Sequence, residues 1–342
     1  MKQFSQTGKP EFELSLAYSK NHYLNEAGSG NRNFFFKNSG FWIRFRSKKV
    51  VNTSKSKKAI SKQQFDVFHP TYYDPYFLSC LGNKPFVLTI HDMINERFAV
   101  QYFAKDKTAE NKKILARKAG KIIAISENTK SDILRYLPDV DEKKIAVIHL
   151  ANSLTKCNVS RPNFPVPSRY ILFVGPRRKY KNFLFLLNSM KPVLTEDRDL
   201  HIVCAGGKPF KSSEMEIFTN LGVEKQLHQF SVADSELAWL YQNAIAFVFP
   251  SLYEGFGIPV LESFACGCPV VCSNTSSLPE VGGEAAAYFD PASEISIKNA
   301  VTKVIYDSNV RKNLIDMGLR RIKNFSWQKT AEETAKIYRS IL

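Results

Sequence analysis

The sequence predicts an α/β protein built from two doubly wound parallel sheets in series. Short apolar runs of strand length alternate with stretches of helical spacing along most of the chain. The alternation lapses around residues 151–168, where three prolines and several Asn and Ser residues indicate a linker. A chain of 342 residues also has the length of two domains, at roughly 150 residues each.

The predicted elements follow from this alternation in chain order. In the first half, strands are predicted at 12–18, 66–69, 85–90, 121–125 and 144–149, and helices at 108–119 and 131–137. In the second half, strands are predicted at 170–174, 200–205, 246–250 and 269–272, and helices at 183–190, 259–266 and 327–341, the last with Ser326 as its N-cap. We therefore expect one domain over residues 1–160, a second over 161–325, and a C-terminal helix over 326–342.

Composition and motifs exclude several classes of protein. The chain is 44% hydrophobic and 23% charged, which is neither disordered nor fibrous. No apolar run approaches the roughly 18 to 20 residues of a membrane-spanning helix, and no apolar stretch follows Lys2, so we expect a cytoplasmic chain without a signal peptide. The lack of a G-x-G-x-x-G after a strand and of a G-x-x-x-x-G-K-[ST] argues against a nicotinamide dehydrogenase and a Walker-type ATPase.

Two groups of residues have a spacing that could suggest a metal. Cys266, Cys268 and Cys272 form a C-x-C-x3-C group, but no histidine lies nearby and a second C-x-x-C is missing, so we interpret them as buried small apolar residues. Asp139 and Asp141 have D-x-D spacing, but they stand where a predicted helix ends, which favours a turn. No metal site is predicted.

Positive charge is concentrated in the first half of the chain. The formal net charge is +16, and residues 1–160 carry 27 Lys and Arg against 14 Asp and Glu. The densest segment, from Arg44 to Lys62, carries eight cations and no acid, and aromatic residues precede it. Basic residues beside aromatics suit an anionic membrane surface. Nucleic acid is the rival partner, and a solvated basic loop is the interpretation without a partner.

A glycine-containing loop in the second half predicts a phosphate site. The strand at 246–250 runs into Gly255 and Gly257, and Pro259 stands where a helix begins. These glycines let backbone amides approach a ligand beside the positive end of a helix dipole. Glu254 precedes them and Glu262 lies in the predicted first turn of the helix. Carboxylates repel phosphate and accept hydrogen bonds from hydroxyls, so the predicted ligand is a sugar joined through phosphate to a ribose.

A second loop supplies positive charge for such a ligand. The strand at 170–174 is followed by Gly175, and Arg177 and Lys181 precede the helix at 183–190. Two cations about 4 Å from a phosphate each contribute about 4 kcal/mol at an effective dielectric constant near 20. They can therefore stabilise a departing diphosphate without a divalent metal. Taken alone, this loop could also be a solvated basic turn.

These loops resemble the motifs of a known family. Glu254 and Glu262, separated by seven residues, are similar to the E-x7-E motif of the family 4 retaining glycosyltransferases, and residues 175–182 are similar to their G-x-R-x-x-x-K-N loop. Residues 68–73, 89–93 and 277–283 resemble the branch that builds bacterial surface polysaccharides with mannosyl-type donors. The resemblance implies the GT-B fold, in which two Rossmann-like domains face a central cleft and the last helix returns to the first domain.

The resemblance also implies roles for the matching residues. Arg177 and Lys181 would hold the donor diphosphate, Glu254 a hydroxyl of the transferred sugar, and Glu262 the donor ribose. The other residues implied in the site are Gly175, Gly255, Phe256, Gly257 and Glu280 on the donor side, and His91, which would face the donor sugar from the first domain. Asp92 either orients the His91 ring or caps the next turn. Family members retain the anomeric configuration, with the leaving phosphate accepting the proton of the acceptor, so no protein nucleophile, metal or other cofactor is implied.

The implied activity is transfer of a hexose, with mannose favoured, from a nucleotide-diphosphate sugar to a glycan acceptor. GDP-mannose is the favoured donor, with a UDP-sugar as the alternative, and the acceptor is expected to be lipid-linked, as in O-antigen or capsule synthesis at the inner face of the cell membrane. The first strand and glycine-rich loop of the family do not occur in their usual place, so we expect a lost start or a reduced N-terminal domain. A nucleotide-sugar-binding protein without transfer activity, or a nucleic-acid-binding protein, are the alternative functions.

Overall fold

The computed structural model describes residues 41–99, 106–154 and 159–342. Their contacts divide into two units. The first takes the residues up to Ala124, Lys130–Ile148 and Gln328–Leu342, and the second takes Ile125–Thr129 and His149–Trp327. The predicted strand at 12–18, the aromatic residues before the basic segment up to residue 40, and Cys157 lie outside the described residues.

The first unit contains a parallel sheet in the order β1-β2-β3 among its described residues. Its strands are β1 (Val87–Ile90), β2 (Lys121–Ala124) and β3 (Ile145–Val147). The helices described before residue 149 are α1 (Phe41–Ser61), α2 (Ile94–Arg97), α3 (Thr108–Lys118) and α4 (Glu127–Tyr136). These elements confirm the strands predicted at 85–90, 121–125 and 144–149 and the two predicted helices. Their ends differ from the predicted ends by a few residues.

The strand predicted at 66–69 is wrong. Only Phe68 pairs, in an isolated parallel bridge with Phe86. The Phe68 N–H donates to Pro85, and the Val87 N–H donates back to Phe68. The next donor of a parallel ladder would be residue 70, which is a proline without an N–H, so the pairing cannot continue.

The basic segment is a helix, which corrects the interpretation of it as a loop. α1 covers Phe41–Ser61. Among its described side chains, Ser56 and Ile60 are buried, whereas Lys55 and Lys58 are exposed. Within the described part of the helix, Ser56 and Ile60 therefore form a narrow inner face, and Lys55 and Lys58 lie at the surface.

The second unit contains a parallel sheet in the order β6-β5-β4-β7-β8-β9. Its strands are β4 (Tyr170–Val174), β5 (His201–Ala205), β6 (Leu227–Phe230), β7 (Ala246–Phe249), β8 (Val270–Ser273) and β9 (Ala286–Phe289). The helices that follow β4 in the chain are α5 (Phe183–Glu196), α6 (Ser212–Leu221), α7 (Asp234–Asn243), α8 (Ile258–Cys266), α9 (Leu278–Gly282), α10 (Glu294–Tyr306), α11 (Ser308–Arg321) and α12 (Trp327–Arg339). All four strands predicted for this half are confirmed.

The sheet of the second unit is buried on both faces. Along β4, Leu172 packs into one apolar cluster, and its neighbours Ile171 and Phe173 pack into another. Alternation between two cores is what a doubly wound sheet requires. Cys266, Cys268 and Cys272 are buried in the first of these clusters, as predicted.

A histidine attaches the C-terminal helix within the first unit. His69 lies 2.7 Å through Nδ1 from the Tyr338 hydroxyl and 2.9 Å through Nε2 from Thr89 Oγ1. Ile337 and Ile341 of the same chain end pack near Val87. Burial, together with the nearby His91, lowers the pKa of His69 to about 4, so the ring is neutral at pH 7.

We expect acid to destabilise the first unit through His69. Below a pH of about 6.5, the unfolded chain binds a proton on His69, whereas the folded chain binds this proton only below a pH of about 4. The free energy of unfolding therefore falls across this window, by at most about 3 kcal/mol from this residue. Urea denaturation at several pH values should show a flatter dependence for His69→Gln. Tyr338→Phe should keep the wild-type slope, and an equal slope in His69→Gln would contradict the assignment.

Candidate functional site

The two loops implied in ligand binding follow adjacent strands of the second unit. Residues 175–182 follow β4, and residues 250–257 follow β7, which pairs with β4. The strand order changes direction at this point, with β5 and β6 on one side and β8 and β9 on the other. Doubly wound sheets bind ligands where the order reverses, at the carboxyl ends of the strands. The topology therefore brings both loops to the expected place.

An ion pair joins these two loops. Lys181 Nζ lies 2.6 Å from Glu254 Oε1, and the two side chains are only 13% and 11% exposed. The ammonium also lies 5.1 Å from the centroid of the Phe249 ring. Asn182, at a left-handed φ of +60°, donates from Nδ2 to the Pro291 carbonyl at 2.9 Å and anchors the end of the loop. A cation suited to phosphate thus lies beside a carboxylate suited to a hydroxyl.

Arg177 is bound by a carboxylate that the sequence motifs do not include. Its Nε lies 2.8 Å from Glu214 Oε1 and its Nη2 3.2 Å from Glu214 Oε2, a bidentate pair. Nη2 also donates to the Lys208 carbonyl at 3.0 Å, and the guanidinium lies 4.5 Å from the centroid of the Phe210 ring. In the part of the chain that the structure describes, Arg177 Nη1 is buried without a hydrogen-bond partner. This nitrogen is the group left to bind an added acceptor.

Glycines make room around Arg177. Gly175 has a φ of +107° and Gly207 a φ of +75°. A Cβ on Gly207 would lie 3.3 Å from the Gly175 carbonyl oxygen and 3.6 Å from Arg177 Nη1. Gly207 belongs to the loop after β5, the third loop of the site. In the sequence, the Gly206-Gly207 pair directly after the predicted strand was the signal that could have indicated this loop.

The loop after β7 has a fixed backbone. Gly257, with a φ of +112°, precedes α8, and a Cβ there would come within 2.9 Å of Leu278. The Gly255 carbonyl accepts hydrogen bonds from Ser126 Oγ at 2.7 Å and Thr129 Oγ1 at 3.1 Å. Phe256 is buried at 3% exposed. Both glycines and Phe256 therefore hold the loop in one shape, and their part in lining a sugar–phosphate junction stays a prediction.

Glu262 lies on α8, just after the first turn in which it was predicted. Since the helix begins at Ile258, Glu262 is its fifth residue, and no acidic residue lies in the first turn. The Tyr241 hydroxyl donates to Glu262 Oε2 at 3.1 Å. Burial raises the pKa of Glu262, and the hydrogen bond from Tyr241 opposes that rise. One of its oxygens is thus engaged, and its role with the ribose stays a prediction.

Glu280 binds groups of its own unit. Its Oε1 lies 2.6 Å from His149 Nε2, and its oxygens accept the backbone N–H groups of Glu127 at 2.9 Å and Asn128 at 3.3 Å. Burial would raise the pKa of Glu280, but these hydrogen bonds outweigh it and lower the pKa. The His149 ring, which the sequence analysis did not single out, also lies 5.7 Å from that of Phe256. Glu280 therefore supports the glycine loop through His149, and its contact with a donor stays a prediction.

His91 follows β1 in the first unit. Its backbone N–H donates to the Tyr73 hydroxyl at 2.8 Å. Asp92 Oδ1 accepts the Ile94 N–H at 3.0 Å, so Asp92 caps the next turn, the second of its two predicted roles. The protein around the His91 imidazole lowers its pKa, although the ring keeps access to solvent. At pH 7 the ring is neutral and can both donate and accept a hydrogen bond.

The two aspartates with D-x-D spacing belong to the predicted turn. Asp141 Oδ1 accepts the Lys143 N–H at 2.9 Å, and Asp139 pairs with Arg117. Among residues 41–99, 106–154 and 159–342, no three His, Cys, Asp or Glu side chains are grouped to hold a metal ion.

Similarity to known proteins agrees with this geometry. The family model described as Glycosyl transferases group 1 matches residues 158–321, and the model described as Glycosyltransferase Family 4 matches residues 18–151. O-antigen chain mannosyltransferase B of Escherichia coli is 30% identical over 287 residues, which cover 80% of this chain and 74% of that protein. The chain belongs to the family 4 glycosyltransferases. It is accordingly a hexosyltransferase, and a nucleotide sugar and a glycan are the classes of its donor and acceptor.

Two further similarities bear on this family 4 glycosyltransferase. An MMP alpha-(1->4)-mannosyltransferase of Mycolicibacterium hassiacum is 28% identical over 299 residues, or 80% of this chain and 70% of that protein. The solved structure of sucrose-phosphate synthase from Thermosynechococcus elongatus superposes with a TM-score of 0.70 at 20% identity, covering 86% of this chain and 79% of that chain. The latter shows the fold, and the predicted GT-B class with two Rossmann-like domains is confirmed.

We expect Glu214→Gln to destabilise the second unit. The change leaves the largely buried Arg177 guanidinium without a charged partner, and losing one member of a buried pair costs roughly 3 to 5 kcal/mol. Glu214 is 15% exposed, which places the expected loss near the lower end of that range. Denaturant unfolding measures it, with Glu216→Gln, an exposed position on the same helix, as the control. Equal stabilities of the two variants would show that the pair contributes nothing.

Proposed function

We propose that this glycosyltransferase moves mannose from GDP-mannose to a lipid-linked glycan, with retention of configuration and without a metal, in bacterial surface polysaccharide synthesis. The observation that carries the proposal is the Lys181–Glu254 pair, which joins the loops after β4 and β7. It sets one group for a phosphate beside one for a sugar hydroxyl, and only a sugar phosphate uses both.

The donor diphosphate is assigned to the two cations of the loop after β4. Lys181 offers its ammonium and Arg177 the buried Nη1, while carboxylates hold both side chains in place. Glu254 Oε1 binds Lys181, and its other oxygen is assigned to a hydroxyl of the transferred sugar. Glu262, tied to Tyr241 through one oxygen, is assigned to the ribose.

The chemistry requires no group beyond these. The bond between the anomeric carbon and the phosphate oxygen breaks, and the acceptor oxygen bonds to that carbon on the same face. The acceptor proton passes to the leaving phosphate. Charge that builds on the diphosphate meets Arg177 and Lys181, which act as preorganised electrostatic stabilisation in the place of a divalent ion.

The choice of mannose rests on the relatives. The Escherichia coli and Mycolicibacterium hassiacum proteins are both named mannosyltransferases, although their names place them on different acceptors. The shared sugar supports mannose as the transferred group. The O-antigen chain in the name of the first, which is also the more similar of the two, supports a polysaccharide chain as the acceptor.

The basic helix α1 supports a location at an anionic membrane surface. Lys55 and Lys58 are exposed on it, and Val50 and Val51 are exposed one to two turns before them, at 64% and 41%. Exposed lysines beside apolar side chains are typical of helices that lie on anionic lipid. No helix in the described ranges is both long enough and apolar enough to cross a bilayer. We propose peripheral attachment to the inner face of the cell membrane.

A thermal-shift panel of nucleotide sugars tests the donor. At 100 times its dissociation constant a ligand adds about 2.7 kcal/mol, and we expect GDP-mannose to give a rise of several degrees that EDTA leaves unchanged. Lys181→Met should abolish the rise. Arg178→Met, an exposed cation three residues away, should keep it.

Each other outcome of that panel contradicts one part of the proposal. A rise with UDP-sugars alone would replace the nucleotide, and a rise that EDTA removes would overturn metal independence. Binding of GDP-mannose without release of GDP in the presence of lipid-linked glycan would identify the alternative, a nucleotide-sugar-binding protein.

Charge reversal on α1 tests the membrane assignment. Lysines near an anionic surface contribute about 1 kcal/mol each, so Lys55→Glu, Lys57→Glu and Lys58→Glu together should weaken vesicle binding at least roughly 100-fold. Sedimentation with phosphatidylglycerol vesicles measures this. The control, Lys191→Glu, Lys225→Glu and Lys312→Glu, changes net charge equally at exposed sites of the second unit. Equal loss in both triple variants, or stronger binding to an oligonucleotide than to vesicles, would contradict the assignment.

A further inference from the structure

Lys112 has no exposed surface. It lies on α3 at 0% exposed, on the face that also buries Leu115 and Ala116. A lysine is almost never fully buried unless its charge is paired, and an apolar side chain of similar volume often gives equal or greater stability. Packing alone therefore does not explain why a charge is kept here.

Among the described residues, the Lys112 ammonium contacts Asp92, Glu96 and Tyr73. Its Nζ donates to the Asp92 carbonyl at 2.9 Å and to Glu96 Oε2 at 2.7 Å. It also lies 5.3 Å from the centroid of the Tyr73 ring, a cation–π distance. Asp92 and Glu96 follow His91 in the chain, and the Tyr73 hydroxyl accepts the His91 N–H. Both sides of the His91 backbone are thus bound to groups that Lys112 holds.

The same cluster sets the charge of the His91 imidazole. Burial lowers its pKa, Asp92 raises it, and Lys112 lowers it. His69 also faces His91, and burial lowers its own pKa to about 4, so it carries no charge at pH 7. Glu96 and Tyr73 are further titratable groups beside Lys112. Without the Lys112 charge, the Asp92 carboxylate would favour a protonated His91.

We propose that Lys112 is a positioning residue, which holds the backbone around His91 and so orients the imidazole for its part in sugar transfer. The inference rests on the proposed function together with the family resemblance, which implies that His91 faces the donor sugar, and it adds a residue that touches no substrate. Lys112 acts through the Asp92 carbonyl on one side of His91 and through Tyr73 on the other. A lysine with a purely structural role would affect stability alone.

Titration of His91 by NMR tests whether Lys112 acts on the His91 ring, whatever the enzyme transfers. The protein is labelled with ¹³C-histidine. The His91 signal is identified as the one that is present in the wild-type spectrum and missing from the spectrum of His91→Asn. Lys112→Met should raise the pKa of His91, since it removes the cation and leaves the Asp92 carboxylate. Arg117→Met, which removes an exposed ion pair on the same helix, should leave that pKa unchanged. An unchanged His91 titration in Lys112→Met would overturn the proposal.

Release of GDP from GDP-mannose tests the consequence for catalysis. We expect Lys112→Met to lower kcat roughly 10- to 100-fold, as a displaced group does, with a smaller change in KM. The double variant Lys112→Met with His91→Asn should be no slower than His91→Asn alone, because Lys112 acts through that ring. Additive losses would show a separate, structural role and overturn the proposal.

A second variant covers the case in which Lys112→Met does not fold. Tyr73→Phe keeps the ring beside Lys112 and removes only the hydroxyl that accepts the His91 N–H. It should lower kcat in the same direction by a smaller factor, and wild-type kcat would count against the proposal. If the wild type releases no GDP from GDP-mannose, the proposed function fails, and the His91 titration still decides whether Lys112 acts on the ring.

Discussion

A charged side chain that leaves water needs an opposite charge at hydrogen-bond distance, because desolvation otherwise costs several kcal/mol. This requirement organises the candidate site residues of both units. The ion pairs that meet it are Lys181–Glu254, Arg177–Glu214 and Lys112–Glu96, separated by 73, 37 and 16 residues in the chain. Each pair fixes a segment that follows a strand, so that loops at the ends of the sheets acquire defined positions. The glycines at 175, 207 and 257 then give the backbone the turns that these positions require.

Periodicity in the sequence predicts most strands correctly because it is a local property. β4, for example, is bounded by Arg169 and Gly175 and is apolar throughout, and it forms where predicted. α1 was missed because its sequence is mostly Lys, Ser and Val without a regular apolar stripe, so nothing in it distinguishes a helix from a basic loop. At 66–69 a local signal was present and was overlooked, since Pro70 cannot continue a ladder.

The candidate site was predictable as two motifs but not as one arrangement. Lys181 and Glu254 each lie in a recognisable loop, but their contact requires β4 to lie next to β7. The sequence of neither loop determines the order of the strands. Glu214 belongs to no motif and looks like any exposed helical acid. Lys112 shares the buried face of α3 with Leu115 and Ala116, but in the sequence it looks like any other cation of a helix.

In the proposed function, the Lys181–Glu254 pair also determines which ligand the site favours. A diphosphate that approaches Lys181 meets an ammonium already bound to Glu254, so its gain is the difference between two ion pairs. Glu254 then loses Lys181 as its partner unless a hydroxyl of the ligand takes the place of the ammonium. A buried carboxylate without a partner raises the free energy of the complex. A nucleotide sugar supplies both groups at once, whereas the free nucleotide supplies only the phosphate. In the proposed function, the ion pair that holds the loops together therefore favours the donor over the nucleotide product, and it re-forms as the product leaves.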